Sequence, residues 1–253
     1  DRKKHQGAFH HSLQLPHNMY AKLGLVEDAQ KVFERAKRRD LVSYNTMMNA
    51  YVTSEKGHEA LALFRQLIHD GSTTFLKPDH MTFTIALKAC ALVGEAEWVT
   101  KIHKMLDEGK IKKDVVIVTA LLDAYSKLGN IKAAKKIFQE EQEHCQNNVV
   151  FWTAIILALA RGDSMEHARE ALRLFHRMVK ERKAQPNNHT FTAAITACVT
   201  LNSLEEGNRV HRLVVDHLGE RGLQRETVVV NALIDMFSKC VGMWVQPATS
   251  STA

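Results

Sequence analysis

The chain repeats itself, and no other feature narrows its fold so far. Ala29-Val32-Phe33, Ala60-Leu63-Phe64, Ala134-Ile137-Phe138 and Ala171-Leu174-Phe175 share one spacing, and Val99-Ile102-His103 and Gly207-Val210-His211 fill it with His in place of Phe. The six triplets end 31, 39, 35, 37 and 36 residues apart, a period of about 36. A second pattern alternates with the first. Tyr44/Tyr51, Phe83/Cys90, Val118/Tyr125, Trp152/Leu159, Phe191/Cys198 and Val230/Phe237 each stand seven apart, with apolar pairs such as Met47-Met48 and Ile155-Ile156 at +3 and +4. Apolar residues at i, i+3, i+4 and i+7 mark one face of an α-helix. Each unit therefore reads as two helices of roughly 12 residues, with Gly24, Gly57, Gly94 and Gly129 expected in the turns between them. The expected units are a partial 18–40, then 41–79, 80–114, 115–148, 149–187, 188–226 and a partial 227–242. An irregular segment at 1–17 and a disordered tail at 243–253 are expected to flank them.

Helix pairs at this period bury their faces only by stacking, so the expectation is an all-α solenoid of helix-turn-helix repeats. Composition agrees, since 4 Pro and 12 Gly in 253 residues leave few breakers. The longest apolar run, 12 residues from Val149 to Ala160, falls short of the about 20 a membrane span needs. Cys90, Cys145, Cys198 and Cys240 stand 55, 53 and 42 apart, too far for zinc-ligand pairs, and are expected as buried, inert thiols. A net charge of +6 permits an anionic partner without demanding one. Residues 80–90 (HMTFTIALKAC) match 188–198 (NHTFTAAITAC) at an offset of 108, so the units recur as triplets of unequal type.

Two positions in each unit are polar. After the first aromatic or Val come Asn45, Thr84, Thr119, Thr153, Thr192 and Asn231, although Asn and Thr together make up only 27 of 253 residues. Ser43, Thr82 and Thr190 are the expected helix caps, which leaves those six for another role. The units close on Asp40, Asp79, Asp114, Asn148, Asn187 and Glu226, which could cap the following helix or present a second polar group. Two such side chains every 36 residues suit one flat, hydrogen-bonding partner per unit, and a nucleobase fits.

Tyr-Asn-Thr-Met-Met at 44–48, Asn-Ala-Leu-Ile-Asp-Met-Phe-Ser-Lys-Cys at 231–240, Met-Tyr-Ala-Lys-Leu-Gly at 19–24, Glu-Ala-Leu-x-Leu-Phe at 59–64 and 170–175, and Lys-Pro-Asp at 77–79 resemble the pentatricopeptide repeat family over about residues 18–242. The alternation is similar to its plant-type subclass with standard, long and short units. The Trp and Leu-Gly pattern of tetratricopeptide repeats is not met. The resemblance implies a right-handed α-solenoid that binds single-stranded RNA, one base per repeat. It implies that Asn45 with Asp79 reads uridine, that Thr119 with Asn148 and Thr153 with Asn187 read adenosine, and that Thr84 with Asp114 leans to guanosine. Thr192 with Glu226 matches no pairing, and Asn231 implies a pyrimidine, giving a register of 5′-U-(G)-A-A-N-(Y). Val42, Met81, Val116, Val150, His189 and Val228 would stack on the bases, and ordinary packing between units is their alternative. Lys127, Arg161 and Lys239 would meet phosphates. The denser basic runs (Arg35 to Arg39, Lys110 to Lys113, Arg173 to Lys183) read as solvated helix faces.

The ends depart from the pattern, with Pro16 inside an expected helix, Gln14 at a base-reading position and no second helix after Gly242. A fragment of a longer protein is the expectation. The subclass often carries or recruits a cytidine deaminase, but His-x-Glu and Pro-Cys-x-x-Cys are absent from this sequence, so it is expected to be no enzyme and to need neither metal nor cofactor. His103 and His211 are expected in packing slots. Three classes stay open: a targeting module for organellar RNA processing or C-to-U editing, a protein-binding solenoid, and part of a larger editing enzyme. The first implies a monomer away from membranes, partnered by single-stranded RNA and a deaminase or other editing factor. It also implies a mitochondrial or plastid location, although no targeting peptide is visible in the sequence.

Overall fold

The computed structural model describes residues 26–69, 76–109, 113–162, 164–182 and 184–242. Every regular element among them is a helix: α1 (Val26–Arg35), α2 (Leu41–Thr53), α3 (Gly57–His69), α4 (His80–Val93), α5 (Ala96–Glu108), α6 (Val115–Lys127), α7 (Ile131–Cys145), α8 (Val149–Ala160), α9 (Met165–Glu181), α10 (Asn188–Leu201), α11 (Leu204–Leu223) and α12 (Thr227–Gly242). They fall into two compact units, one ending at Ala124 and the other starting at Tyr125. The expectations for Gln14, Pro16, Gly24, Lys110, Lys112 and Lys183, and for segments 1–17 and 243–253, lie outside the described residues.

Six helices open directly after a closing residue: α2, α4, α6, α8, α10 and α12 follow Asp40, Asp79, Asp114, Asn148, Asn187 and Glu226. The reason is local. The first backbone N–H groups of a helix lack intrahelical acceptors. In five of the six a side-chain oxygen of the closing residue takes one, whereas at Glu226 the backbone carbonyl accepts from Val229 and Val230. Ser43 N–H donates to Asp40 at 2.8 Å, Thr82 N–H to Asp79 at 2.8 Å, Ile117 N–H to Asp114 at 2.9 Å, Phe151 N–H to Asn148 at 3.1 Å and Thr190 N–H to Asn187 at 2.9 Å. This corrects the assignment of the caps to Ser43, Thr82 and Thr190. Those residues stand three positions later, and Thr82 and Thr190 complete capping boxes by accepting from the N–H of Asp79 and Asn187.

Within each compact unit the helices form two layers. In the first unit α2 packs on α1, α3 and α4, while α4 packs on α3 and α5. In the second, α8 packs on α7, α9 and α10, while α10 packs on α9, α11 and α12. A first helix thus meets the next first helix as well as second helices on its other side, and its sequence must be apolar around most of its circumference. In α8, Phe151, Trp152, Ile155, Ile156, Ala158, Leu159 and Ala160 are all buried. Second helices touch the core along one stripe, as Ala168, Ala171, Leu172, Phe175 and Met178 do in α9. Successive repeats are joined by edge-on ring pairs: Phe33 on Tyr44, Phe64 on Phe83, Phe138 on Trp152, and Phe175 on Phe191, at centroid distances of 5.3, 6.0, 5.3 and 6.0 Å. Such a pair adds about 0.5–1.5 kcal/mol beyond the area it buries.

Two expectations need correction. Gly57 lies in no turn: it is the buried first residue of α3, where an added Cβ would come within 2.5 Å of Val93 Cγ2. The left-handed turn residue there is Glu55, at φ 59°, whereas Gly94 and Gly129 do occupy left-handed positions. Helix lengths run from 10 to 20 residues, and the longest, α11, bends at Gly219 (φ 69°, ψ 159°). His103 and His211 are half-buried, and His211 packs edge-on to Phe237 at 5.7 Å. All four cysteines are buried, and burial pushes the thiols of Cys90 and Cys198 up to about 12.

Candidate functional site

The second and fifth residues of a first helix are three apart and share one helix face. Along that face the second position is exposed: Val42 69%, Met81 59%, Val116 56%, Val150 53% and Val228 59%, with His189 exposed in the same register. Ordinary packing between repeats, the alternative weighed for these residues, does not cover them. Five exposed branched or long apolar groups at one repeat position are unlike scattered surface apolars, because the pattern recurs beside the polar fifth and closing positions of each repeat.

Beside Val42 and Met81, Asn45 and Asp79 meet. Asn45 Nδ2 donates to Asp79 Oδ1 at 3.1 Å. A carboxylate has no hydrogen to offer, so the amide must turn its NH2 toward Asp79. The hydroxyl of Thr82 lies 2.8 Å from Asn45 Oδ1 and 2.7 Å from Asp79 Oδ1. All the bonds to Asp79 fall on Oδ1, and Oδ2 takes part in none of them. Burial works to raise the Asp79 pKa, but the bonds from Thr82 and Asn45 outweigh it and hold the carboxyl below its ordinary value. The pair thus presents one carboxylate oxygen as acceptor and one remaining amide N–H as donor.

Thr153 and Asn187 are brought together through Thr190. The hydroxyls of Thr153 and Thr190 lie 2.6 Å apart, and Thr190 Oγ1 donates to Asn187 Oδ1 at 3.0 Å. Because Asn187 Oδ1 also takes the Thr190 backbone N–H, its NH2 is turned away from the helix start. Here the closing residue offers a donor where Asp79 offers an acceptor.

Repeats 80–114 and 188–226 differ. Thr84 is 4% exposed and donates to its own helix at His80 O, 2.7 Å away. Both oxygens of Asp114 are engaged, Oδ1 by Ile117 N–H and Oδ2 by His80 Nδ1 at 3.1 Å. Burial acts to raise the Asp114 pKa, yet the Ile117 and His80 bonds leave it lowered. Thr192 likewise donates to Asn188 O at 2.7 Å, and the Asn188 amide donates to Glu226 Oε2. In both repeats the first residue holds the last. Thr119 donates back to Val115 O at 2.6 Å, Asn148 accepts from Val150 N–H at 2.8 Å, and Asn231 is exposed. His80, Asn188, and the reach of Thr82 and Thr190 into the preceding repeat were all missed by the sequence reading. The signal available for them was the 108-residue match between the two segments that carry them.

Lys127, Arg161 and Lys239 are exposed at the ends of α6, α8 and α12. Lys239 shares its charge with Asp235 at 2.8 Å. In the basic run before α2, Arg39 donates to Phe33 O at 3.0 Å and covers the Phe33 ring, a structural rather than a free charge. Among the described residues no group of three or more His, Cys, Asp or Glu could hold a metal ion, and no helix is long and apolar enough to cross a membrane.

Three profiles of one family match the chain: the PPR repeat over residues 17–41, the PPR repeat family over 39–91 and the pentatricopeptide repeat domain over 101–163, together more than half its length. The chain belongs to the pentatricopeptide repeat family. It is similar to the chloroplastic pentatricopeptide repeat-containing protein At1g11290 of Arabidopsis thaliana, 34% identical over 223 residues, covering 88% of this chain and 26% of the relative. It is also similar to the mitochondrial protein At2g03380 of the same plant, 32% identical over 224 residues, covering 88% of this chain and 30% of the relative. The chain thus spans between a quarter and a third of the length of such pentatricopeptide relatives. Among solved structures it is similar to the pentatricopeptide repeat protein PPR10 from maize, with a TM-score of 0.62 at 21% identity over 88% of this chain and 31% of that one. It is also similar to PPR10 in complex with an 18-nt psaJ RNA element, with a TM-score of 0.63 at 20% identity over 85% of this chain and 29% of that one. At that identity the likeness concerns the fold, which is the all-α helical solenoid of this family.

Proposed function

We propose that these pentatricopeptide repeats bind single-stranded RNA along the first-helix face, one base per repeat. The observation that carries this is the Asn45–Asp79 pair at 3.1 Å, flanked by the exposed Val42 and Met81. Apolar groups on either side suit the faces of an unstacked base, and the pair between them suits its edge. Uracil places an N3–H donor between two carbonyl acceptors. Asp79 Oδ2 can accept from N3–H while the second Asn45 N–H donates to a carbonyl. Cytosine would turn its N3 lone pair toward the carboxylate, so uridine is preferred. At Thr153 and Asn187 the Asn187 NH2 can donate to N1 of adenine, which guanine replaces by N1–H. Adenosine is preferred there, and an acid in that place would favour guanosine, as at Thr84 with Asp114. Thr119 and Asn148 belong to different compact units, and their assignment to adenosine rests on family resemblance alone.

RNA binding by the family also draws support from the PPR10 complex, and the chloroplastic and mitochondrial relatives support an organellar location. We further assign the repeats to the subclass with alternating unit types and the chain to a targeting role in RNA processing or C-to-U editing. The 108-residue recurrence supports that assignment. The direct test is selection from a random pool of short single-stranded RNAs. Enrichment of U and A in the assigned register is expected, and Asn45→Thr should move its position from uridine toward guanosine. Failure to bind RNA would favour a peptide-binding solenoid. If Arg161 meets a phosphate, Arg161→Ala weakens binding to all sequences alike and lowers the salt slope by about 0.7.

A further inference from the structure

We infer that Thr82 and Thr190 are positioning residues for base selection, each holding the reading side chains of the repeat before its own. This rests on the RNA-reading proposal and adds residues outside the fifth and closing positions. Both side chains are 0% exposed, so neither touches RNA itself. Each hydroxyl lies 37 residues on from a fifth-position side chain and within hydrogen-bond reach of it: Thr82 at 2.8 Å from Asn45 Oδ1, Thr190 at 2.6 Å from Thr153 Oγ1. Each also reaches the closing residue, Asp79 at 2.7 Å or Asn187 at 3.0 Å. One buried hydroxyl therefore joins both members of a reading pair.

The geometry elsewhere shows what happens without it. Thr84 and Thr192 have no such neighbour, and each donates its only hydroxyl hydrogen to the carbonyl four residues back, at 2.7 Å in both. Thr153 instead meets Thr190. The brace thus draws the reading hydroxyl off its own helix and toward the closing residue. For Asn45, the carboxylate of Asp79 fixes the NH2 end of the amide, and the Thr82 hydroxyl holds the oxygen end by giving it its single hydrogen while accepting from the Asp79 N–H. An amide held at both ends cannot swing to present acceptor in place of donor, and discrimination between bases depends on that order. At the equivalent third position Ile117, Phe151 and Val229 carry no hydroxyl and cannot act in this way.

The test is a crossed pair of isosteric variants, Thr82→Val and Thr190→Val, in the full chain. Single-stranded RNA octamers carrying each of the four bases opposite repeat 41–79 or repeat 149–187 serve as probes, read by fluorescence anisotropy. Thr82→Val should lower the uridine-over-cytidine ratio opposite repeat 41–79 by about three- to tenfold, the range one hydrogen bond commands. It should leave the adenosine-over-guanosine ratio opposite 149–187 unchanged. Thr190→Val should do the reverse, and Thr82→Ser, which keeps the hydroxyl, should restore the uridine ratio. An unchanged ratio in the Val variants overturns the inference. Loss of both ratios in either variant assigns the hydroxyl to folding and overturns it too. A wild-type chain that binds RNA with no preference at either position refutes base reading itself, a different failure from one confined to the braces.

Discussion

The two compact units cap their first helices with the same geometry and different chemistry. The closing residues that cap through their side chains are Asp40, Asp79 and Asp114 in the first, and Asn148 and Asn187 in the second, where Glu226 closes a further repeat without a side-chain cap. In all five a side-chain oxygen takes a backbone N–H two or three residues on. What remains of the side chain differs. An acid leaves a second acceptor and a charge, whereas an amide leaves a donor and none. Capping strength is nearly the same for Asp and Asn. The choice between them is therefore close to neutral for the helix and decisive for anything that meets the other end of the group.

The sharpest way to break this comparison is to exchange the two chemistries. Asp79→Asn keeps the cap but turns an NH2 toward the base, so the position opposite repeat 41–79 should lose uridine and gain cytidine by about tenfold, equivalent to about 1.4 kcal/mol. Asn187→Asp should move its position from adenosine to guanosine by a similar factor. Chemical denaturation should show a change of no more than about 1 kcal/mol in either variant, the scale of the helix-dipole interaction. A stability change without a base switch would mean that these residues only cap. Asp79→Ala removes cap and partner together, and a loss of about 0.5–2 kcal/mol in the same denaturation assay is expected.

How far this was legible in the sequence depends on the range of the interaction. The helix pairs were legible because apolar periodicity within about 12 residues is set by the helix itself. The row from Val42 to Val228 was legible as a repeated position, but its exposure was not, since a valine looks alike packed or bare. Thr82 and Thr190 looked like caps because their neighbours in sequence invite that reading. Their hydroxyls act 37 residues back, across a contact that exists only once the helices are stacked. Gly57 misled for the same reason. A glycine near a turn suggests a left-handed residue, whereas here the missing Cβ makes room for Val93 of the next helix pair.

Acid should separate the two units next. The carboxyls of Asp40, Asp79 and Asp114 are all lowered from the ordinary value. A lowered folded pKa contributes stability that is fully present above the unfolded value, about 3.9, and is lost as pH falls through the folded one. Asn148 and Asn187 do not titrate. Hydrogen exchange followed by mass spectrometry at about pH 3 should therefore show the first turns of α2, α4 and α6 losing protection before those of α8 and α10. Equal loss in both sets would mean that the charged caps contribute nothing beyond neutral ones.

The smallest expected effect separates two acids within the first unit. Asp79 keeps Oδ2 out of its hydrogen bonds, whereas Asp114 gives Oδ2 to His80. In repeat 41–79 the residue at the place of His80 is Leu41, which cannot make this bond. His80→Leu should therefore free the second oxygen of Asp114 and strengthen the guanosine preference of repeat 80–114. The pair is surface-exposed, with side chains 50% and 42% accessible. Exposed polar side-chain pairs of this kind are worth no more than about 1 kcal/mol, so the gain should be no more than about fivefold. Anisotropy with four RNAs differing only at that nucleotide can resolve it, with the uridine ratio opposite Asn45 as the internal reference. An unchanged ratio at both nucleotides would show that the base already displaces His80, and that Asp79 and Asp114 differ only in the free protein.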